Sequence, residues 1–335
     1  MFNQVFSFIP FIFIIVFCFI LFSFLYTKGK QYKNISKLPK DNNYVLKNQD
    51  KLNQKFSDSY KELEPLKKRI IYLLIIVIIC IVASFLIKNK YFSYFSIGLS
   101  IVLLAISSYS YSSKSDKKFT EIAKEIIHDY DNDLEYKPHE GFSYSEYALC
   151  RFPEDCDRFY SEDMIINEKK GFYFADIKVE SEHRDKDDDT YYVTEYEGSL
   201  ARIYIEDVNC KIYLGGMQIG LFFRNDDYKK IKLENDEFNK LFMAYTDNEL
   251  LAYKLLTPDV MEEFVKIKKN SFGDIDIRIL NNKLYIRFLS GNGFDSSSFK
   301  QEIDKDNLCK SIAVLEEVMK TMEKVKTIIN DKNIE

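Results

Sequence analysis

The sequence predicts an α+β protein in which transmembrane helices on the amino-terminal side precede a mostly antiparallel sheet covered by helices. Three observations lead to this fold class. The first third of the chain contains three apolar runs without an ionisable side chain, at residues 5–26, 70–87 and 91–111. Short alternating runs of β-branched and aromatic residues begin near residue 134. Helical patterns stand among these runs without the regular alternation of strand and helix that a parallel sheet requires.

The three apolar runs are each close to the roughly 20 residues that cross the hydrocarbon core of a bilayer. Residues 70–87 are rich in isoleucine, leucine and valine, which favour insertion at the centre of a helix. The run at residues 5–26 lacks a preceding basic side chain and is longer than the apolar part of a secretory signal. We therefore expect three transmembrane helices, the first of them retained.

The positive charges predict how these helices are oriented. Residues 28–69 contain twelve Lys or Arg and five Asp or Glu, whereas the turn between the second and third runs has only Lys88 and Lys90. Lys and Arg near helix ends stay on the cytoplasmic side. The basic loop at residues 27–69 and everything from residue 112 onward are therefore predicted to be cytoplasmic, in a multi-pass protein of the cytoplasmic (inner) membrane.

The net charge is also split along the chain. The whole-chain value of −5 includes +7 from the basic loop and +2 from the short turn, which leaves −14 for residues 114–335. A domain this acidic is a poor candidate for nucleic acid, because phosphate binding needs a basic face. Anionic lipid repels it and attracts the basic loop. The expected partners are the lipid bilayer and either a protein or a second copy of the chain.

Two helical patterns flank the apolar runs. In the basic loop, apolar residues recur at helical spacing at Val45, Leu52, Phe56, Tyr60 and Leu63. This apolar stripe predicts a surface helix or, as an alternative, a short helix that associates with a second copy of itself. A second stripe predicts a juxtamembrane helix at residues 112–133 that continues the third run, and it consists of Phe119, Ile122, Ile126 and Ile127.

The remaining residues, 134–330, are predicted to form one cytoplasmic α+β domain. Mixed β-branched, aromatic and charged runs predict strands at residues 147–152, 163–167, 171–179, 191–196, 200–206 and 211–214. The charged stretch at residues 180–190 is expected to be an exposed loop.

Later in this domain, Asn281-Asn282 joins two alternating runs, at residues 274–280 and 283–289, in a predicted hairpin. Pro258 is predicted at the first position of a helix. The apolar periodicity of residues 304–329 predicts a final amphipathic helix.

The sequence contains few patterns that are typical of catalytic, metal-binding or phosphate-binding sites. Its three histidines have no ligand spacing, its six cysteines form no metal or redox pattern, and its glycines do not form a phosphate loop. The sequence therefore predicts no catalytic, cofactor-binding or metal-binding residue, and no cofactor. Clustered carboxylates at residues 180–189 leave one alternative open, because carboxylates bind divalent cations, although the calcium-loop spacing is missing.

One stretch, at residues 233–258, resembles a bacterial family of membrane-anchored proteins known only as a domain of unknown function. The matching positions are Glu237, Phe238, Phe242, Tyr245, Asp247, Ala252, Leu256, Thr257 and Pro258. Family members often have Arg directly after the alanine, where this chain has Tyr253. The resemblance covers roughly residues 112–289 and implies an uncharacterised membrane protein with a membrane hairpin ahead of the domain.

The expected function is therefore that of a non-enzymatic membrane protein whose acidic domain binds a protein or assembles at the membrane. Two alternatives remain at this point. One is a membrane-tethered, metal-dependent hydrolase that uses the carboxylates near residues 180–189. The other is a lipid-surface sensor that acts through the basic loop.

Overall fold

The computed structural model describes residues 49–87, 90–185, 188–223, 228–270, 274–289 and 305–332. The helix predicted at residues 5–26 and most of the basic loop lie outside these residues. The chain divides into two compact units. Among the described residues, the first unit comprises mainly residues 50–122, and the second comprises residues 123–289 and 306–332.

The first unit is a pair of long helices, α1 (Gln49–Ile87) and α2 (Lys90–Tyr130), of which α2 continues into the second unit. Only two residues connect the helices, so they are antiparallel neighbours. An ion pair of 2.9 Å between Lys118 and Glu62 joins them. Each helix buries one stripe of side chains at spacings of three, four or seven residues. The stripe of α1 consists of Phe56, Ser59, Leu63, Ile70 and Val77, and the stripe of α2 consists of Leu104, Ser107, Tyr111, Ser115 and Phe119.

These helices correct the predicted fold class. Within the part of the chain that the structure describes, no helix is both long enough and apolar enough to cross a membrane. The transmembrane part of the prediction, with spans at residues 70–87 and 91–111 in a multi-pass arrangement, is therefore wrong. Each apolar run was predicted as a separate element, whereas both runs belong to longer helices, and each helix buries one stripe of side chains.

The second unit consists of short helices and one sheet. Its strands are β1 (Glu135–Lys137), β2 (Arg158–Asn167), β3 (Phe172–Arg184), β4 (Thr190–Tyr204), β5 (Ile212–Gly215), β6 (Lys229–Ile231), β7 (Met243–Thr246), β8 (Ile275–Leu280) and β9 (Lys283–Phe288). Its helices are α3 (Tyr144–Leu149), α4 (Met217–Phe222), α5 (Asp236–Leu241), α6 (Glu249–Leu255), α7 (Pro258–Lys269) and α8 (Lys305–Lys332).

The sheet is antiparallel at every pairing between its described strands, in the order β1-β2-β3-β4-β9-β8-β5-β7-β6. The α+β class and the antiparallel sheet are thus confirmed. The predicted hairpin is also present, because Asn281 and Asn282 have φ values of 53° and 60°. Positive φ at both central positions is what a tight hairpin turn between β8 and β9 requires.

Both faces of the central strands are buried. On one face, Ile275, Ile277 and Ile279 of β8 have at most 1% of their surface exposed. On the other face, the same strand buries Arg278 and Leu280 beneath α3 and the segment that follows it. The long helices α7 and α8 also bury their apolar stripes, and they contact each other through Lys324 and Glu263.

Two of the predicted local elements differ from the structure. Residues 147–152 were expected to be a strand, but Ser143 caps α3 there by accepting a hydrogen bond from the Glu146 amide. Residues 180–190 were expected to be a loop, but β3 extends through Arg184 and the turn begins only at Asp185. Cross-strand pairing outweighs the charged local composition, because Glu180, Glu182 and Arg184 all have partners in β4.

Candidate interaction surfaces

The half of the helical hairpin nearer to its turn exposes apolar side chains on its surface. Thirteen large apolar residues there are between 40% and 77% exposed. On α1 they are Ile71, Tyr72, Ile75, Ile76, Ile78 and Ile79, and on α2 they are Phe95, Leu99, Ile101, Val102, Leu103, Ile106 and Tyr109. We call this set the apolar hairpin surface.

The other half of the hairpin has a different surface. Its exposed side chains include Asp58, Lys61, Glu64 and Glu121, and no large apolar residue at 50–69 or 112–122 is exposed among those described. Exposed apolar area in the first half is on the order of 1,000 Å², whereas the largest patch on a typical monomer is a few hundred Å². A patch of this size indicates a surface that contacts a protein or a membrane.

The carboxylates predicted near residues 180–189 lie at the end of a two-stranded ribbon made by β3 and β4. Lys178 pairs with Glu180 at 2.5 Å, and Glu182 accepts a hydrogen bond from Tyr192 at 2.8 Å. Asp185 accepts from the Asp189 amide at 3.0 Å. These carboxylates are thus engaged locally, and within the described residues no group of three or more metal-ligating side chains could hold an ion. Lys186 and Asp187 are not among the described residues.

A serine, a histidine and a glutamate meet on this ribbon. The Ser181 hydroxyl donates to Glu195 at 2.5 Å and lies 2.8 Å from Nε2 of His183. The same Nε2 atom is 3.6 Å from Glu195. In a nucleophile relay, one ring nitrogen of the histidine contacts the serine and the other contacts the acid. Here both contacts use Nε2, and Ser181 is buried, so this group does not have the geometry of a relay.

An acidic cavity of about 600 Å³ lies between the end of α2 and helix α8. Its wall includes Asp129, Asp131, Asp133, Lys170 and Glu323. Lys170 is 2.7 Å from Glu323 and 3.7 Å from Asp131. A lysine thus already neutralises part of the negative charge that faces the cavity.

The sheet face under α3 contains two buried arginines, which we call the arginine pair. Arg287 donates two hydrogen bonds to Glu154, at 2.6 and 2.8 Å, and a third to Asp276 at 2.5 Å. Arg278 donates to the Cys150 carbonyl at 2.9 Å and to the Leu214 carbonyl at 2.8 Å. The Phe152 ring packs on both guanidinium groups, 3.8 Å from that of Arg287 and 4.6 Å from that of Arg278.

The two positive charges of the arginine pair are balanced by the negative charges of Glu154 and Asp276. Burial raises the pKa of the neighbouring Cys150 thiol to about 12, which keeps it protonated and unreactive near neutral pH. The sequence did not identify this network. Its signal is an arginine inside each of two largely apolar strands, with Asp276 between the isoleucines of β8. Alternation and the hairpin register place the two arginines and Asp276 on one face of the sheet.

A second ionic group lies beside the arginine pair. Glu146 of α3 accepts hydrogen bonds from Arg202 at 2.7 Å and from Tyr285 at 2.8 Å, and Lys283 is 3.2 Å away. Burial alone raises the pKa of a carboxylate, but the hydrogen bonds from Arg202 and Tyr285 outweigh it and the pKa of Glu146 is lowered. This group fixes the short helix α3 to β4 and β9.

Comparison with known proteins shows that a family model matches part of the chain. Residues 200–333 match a family model described as "Protein of unknown function (DUF3137)". The chain therefore carries a domain of unknown function, which confirms that part of the resemblance. The match does not test membrane anchoring or the motif at residues 233–258. In the structure, that stretch forms α5, β7 and α6, and Asn248 caps α6.

The matched region extends from the last part of β4 to α8 and includes β5–β9 and α4–α7. No match to a curated protein was found. Among solved structures, the mycobacterial trehalose monomycolate transport factor A, TtfA, is similar at 10% sequence identity and a TM-score of 0.35. The similarity covers 64% of this chain and 93% of that chain, and at this TM-score it supports no conclusion about fold or function.

Proposed function

We propose that this protein is a membrane-associated binding protein, not an enzyme. Its apolar hairpin surface contacts a lipid bilayer, and its acidic second unit binds a protein partner there. The observation that carries this proposal is the exposure of thirteen large apolar side chains, all on one half of the hairpin. Attachment through this surface requires lipid contact along the helices and does not require a helix that crosses the bilayer.

Leaving this apolar surface in water costs free energy that contact with a bilayer would recover. Burial of apolar area is worth roughly 25 cal/mol per Å², so complete coverage of about 1,000 Å² corresponds to an upper limit of about 25 kcal/mol. Charged side chains begin where the apolar surface ends, at Arg69 on α1 and Lys114 on α2. Basic side chains at this position favour contact with anionic headgroups.

The second unit supports a binding role in two ways. Its net charge is strongly negative, which favours a partner with a basic surface. Its buried ionic networks connect α3 to the sheet through Arg287 and Glu146, and such networks give a rigid surface. The local pairing of the ribbon carboxylates also favours a binding surface over a metal-dependent active site.

The experiment is flotation of the full-length chain with vesicles of phosphatidylcholine containing about one-fifth phosphatidylglycerol. The test variant replaces Ile75, Ile76 and Ile79 with serine. The control replaces three exposed residues of the charged half, Asp58, Lys61 and Glu64, with serine. We expect the test variant to lose at least tenfold in vesicle partitioning, because three exposed apolar contacts are removed, and the control to change less than twofold.

Two results would contradict this proposal. One is that the unsubstituted chain remains with the soluble fraction at all lipid concentrations. The other is equal partitioning of the test variant and the control. Sedimentation of the unsubstituted chain without lipid distinguishes self-association, because oligomers that the isoleucine substitutions dissociate would assign the apolar hairpin surface to a second copy of the chain.

A further inference from the structure

The ribbon formed by β3 and β4 extends beyond the rest of the sheet. The pairing of β2 with β3 ends at Glu180, and the pairing of β9 with β4 ends at Ser199. Beyond these points, residues 181–184 and 190–193 pair only with each other in the described structure, and Thr194 pairs with Glu180. The ribbon therefore has two edges, one on each strand.

The edge on β3 is closed by Asp157. The Asp157 amide donates to the Glu180 carbonyl at 2.9 Å, and its carboxylate accepts from the Glu182 amide at 2.6 Å. Glu180 and Glu182 therefore direct their backbone groups away from β4. In an antiparallel ladder, two paired residues both point their backbone groups inward or both point them outward.

By the same rule, the edge on β4 has no strand partner among the described residues. Thr194 pairs with Glu180 and Tyr192 pairs with Glu182, so both direct their amide and carbonyl groups to the outside of the ribbon. No described residue forms a backbone hydrogen bond with these groups. The edge ends at Gly198, where an added Cβ would lie 2.3 Å from the Phe288 carbonyl oxygen. Natural sheets usually protect an edge of this kind.

The side chains along this edge indicate what could pair with it. Residues 190–194 read Thr-Tyr-Tyr-Val-Thr, which are residue types that favour strands. Tyr191 and Val193 are 48% and 38% exposed. Residues 180–195 contain seven Asp or Glu against Arg184 and Lys186. The ribbon thus has an excess of negative charge, although Lys178 pairs with Glu180 and Arg158 lies over the Tyr192 ring.

We propose that the open edge of β4, at Thr190, Tyr192 and Thr194, is a strand-addition site for an extended, basic polypeptide segment. Backbone hydrogen bonds to the edge supply the pairing, and the surrounding carboxylates select lysine or arginine over acidic residues. This inference names the partner type for the second unit and rests on its proposed binding role. It does not depend on lipid contact, which vesicle flotation tests separately.

The test uses the full-length chain and two fluorescein-labelled decapeptides, one alternating valine with lysine and the other alternating valine with glutamate. The variant Thr194→Pro removes one outward amide, and an edge position with an outward amide tolerates proline. Thr194→Val keeps the amide and is the matched control. We expect the lysine peptide to bind at least tenfold tighter than the glutamate peptide, and Thr194→Pro to weaken it at least tenfold while Thr194→Val changes it less than twofold.

Hydrogen exchange of the unsubstituted chain gives an independent measurement if Thr194→Pro does not fold. The Tyr192 and Thr194 amides should exchange fast in the free chain and slow at least tenfold with the lysine peptide. The Val193 amide, which already faces β3, should change little. Slow exchange in the free chain, equal affinity for both peptides, or unchanged affinity of a folded Thr194→Pro variant would each overturn the proposal. A dimer that Thr194→Pro dissociates would also overturn it, since the edge would then belong to a second copy.

Discussion

At the scale of single residues, the arginine pair determines how α3 and the sheet fit together. Arg287 is 2% exposed and has two carboxylate partners, Glu154 and Asp276. Removal of one member of a buried pair leaves the others desolvated without compensation. Arg287 is therefore expected to matter more for stability than the exposed ion pairs of the same unit.

The variant Arg287→Met should lower the free energy of unfolding by about 3–5 kcal/mol, because it leaves Glu154 and Asp276 without their guanidinium. The control is Lys269→Met, which removes an exposed pair with Glu237 and should cost less than about 1 kcal/mol. Urea unfolding followed by the circular dichroism of the tyrosines measures both. Equal losses for the two variants would show that the buried network contributes no more than a surface pair.

Glu146 gives the second unit a predictable response to acid. Its pKa in the folded chain is lowered, so its contribution to stability is present above the ordinary carboxylate pKa and is lost as the pH falls through the folded value. Glu146→Gln should therefore lower the free energy of unfolding at pH 7 by about 1.5–3 kcal/mol, the range for hydrogen bonds to a charged group. Urea unfolding at several pH values should show that this difference shrinks in acid. A difference independent of pH would mean that the carboxylate charge is not the cause.

At the scale of elements, the β8–β9 hairpin depends on the two asparagines of its turn. Asn281 has a φ of 53°, a region that asparagine and glycine tolerate and that β-branched residues avoid. The strands that this turn joins are central in the sheet. A strained turn would thus affect the pairings on both sides of the hairpin.

We expect Asn281→Val to lower the free energy of unfolding by about 1–2 kcal/mol, because it places a β-branched side chain at positive φ. Asn281→Gly is the matched control and should change it by less than about 1 kcal/mol, because glycine adopts this φ without strain. The same urea titration measures both variants. If valine were tolerated as well as glycine, the turn would not need its positive φ.

At the scale of the whole molecule, the two units differ in how they are stabilised. The hairpin buries a single stripe from each helix, whereas β4, β8 and β9 are buried on both faces over much of their length. Amides that are buried on both sides exchange through global unfolding, and elements with fewer buried contacts open locally. Hydrogen exchange followed by mass spectrometry should therefore show slower exchange in β8 and β9 than in α1. Equal rates would indicate a single cooperative unit.

Features with a local cause could be predicted from the amino-acid sequence alone. Asn281 and Asn282 specify a tight turn, Pro258 starts α7 after Thr257, and alternating side chains identify β8 and β9 as strands. Each of these follows from the backbone preferences of neighbouring residues. The acidic character of the second unit also needs no structure, because charge is a sum over residues.

Only the tertiary structure decided features that depend on distant residues. The apolar runs at residues 70–87 and 91–111 belong to long helices that each bury one stripe of side chains, and strand pairing extends β3 into a charged stretch whose composition is typical of a loop. Arg278 and Arg287 are buried because Cys150, Glu154 and Asp276 meet them across the fold. Local composition cannot report such contacts, since a partner far along the chain supplies the free energy that outweighs the local preference.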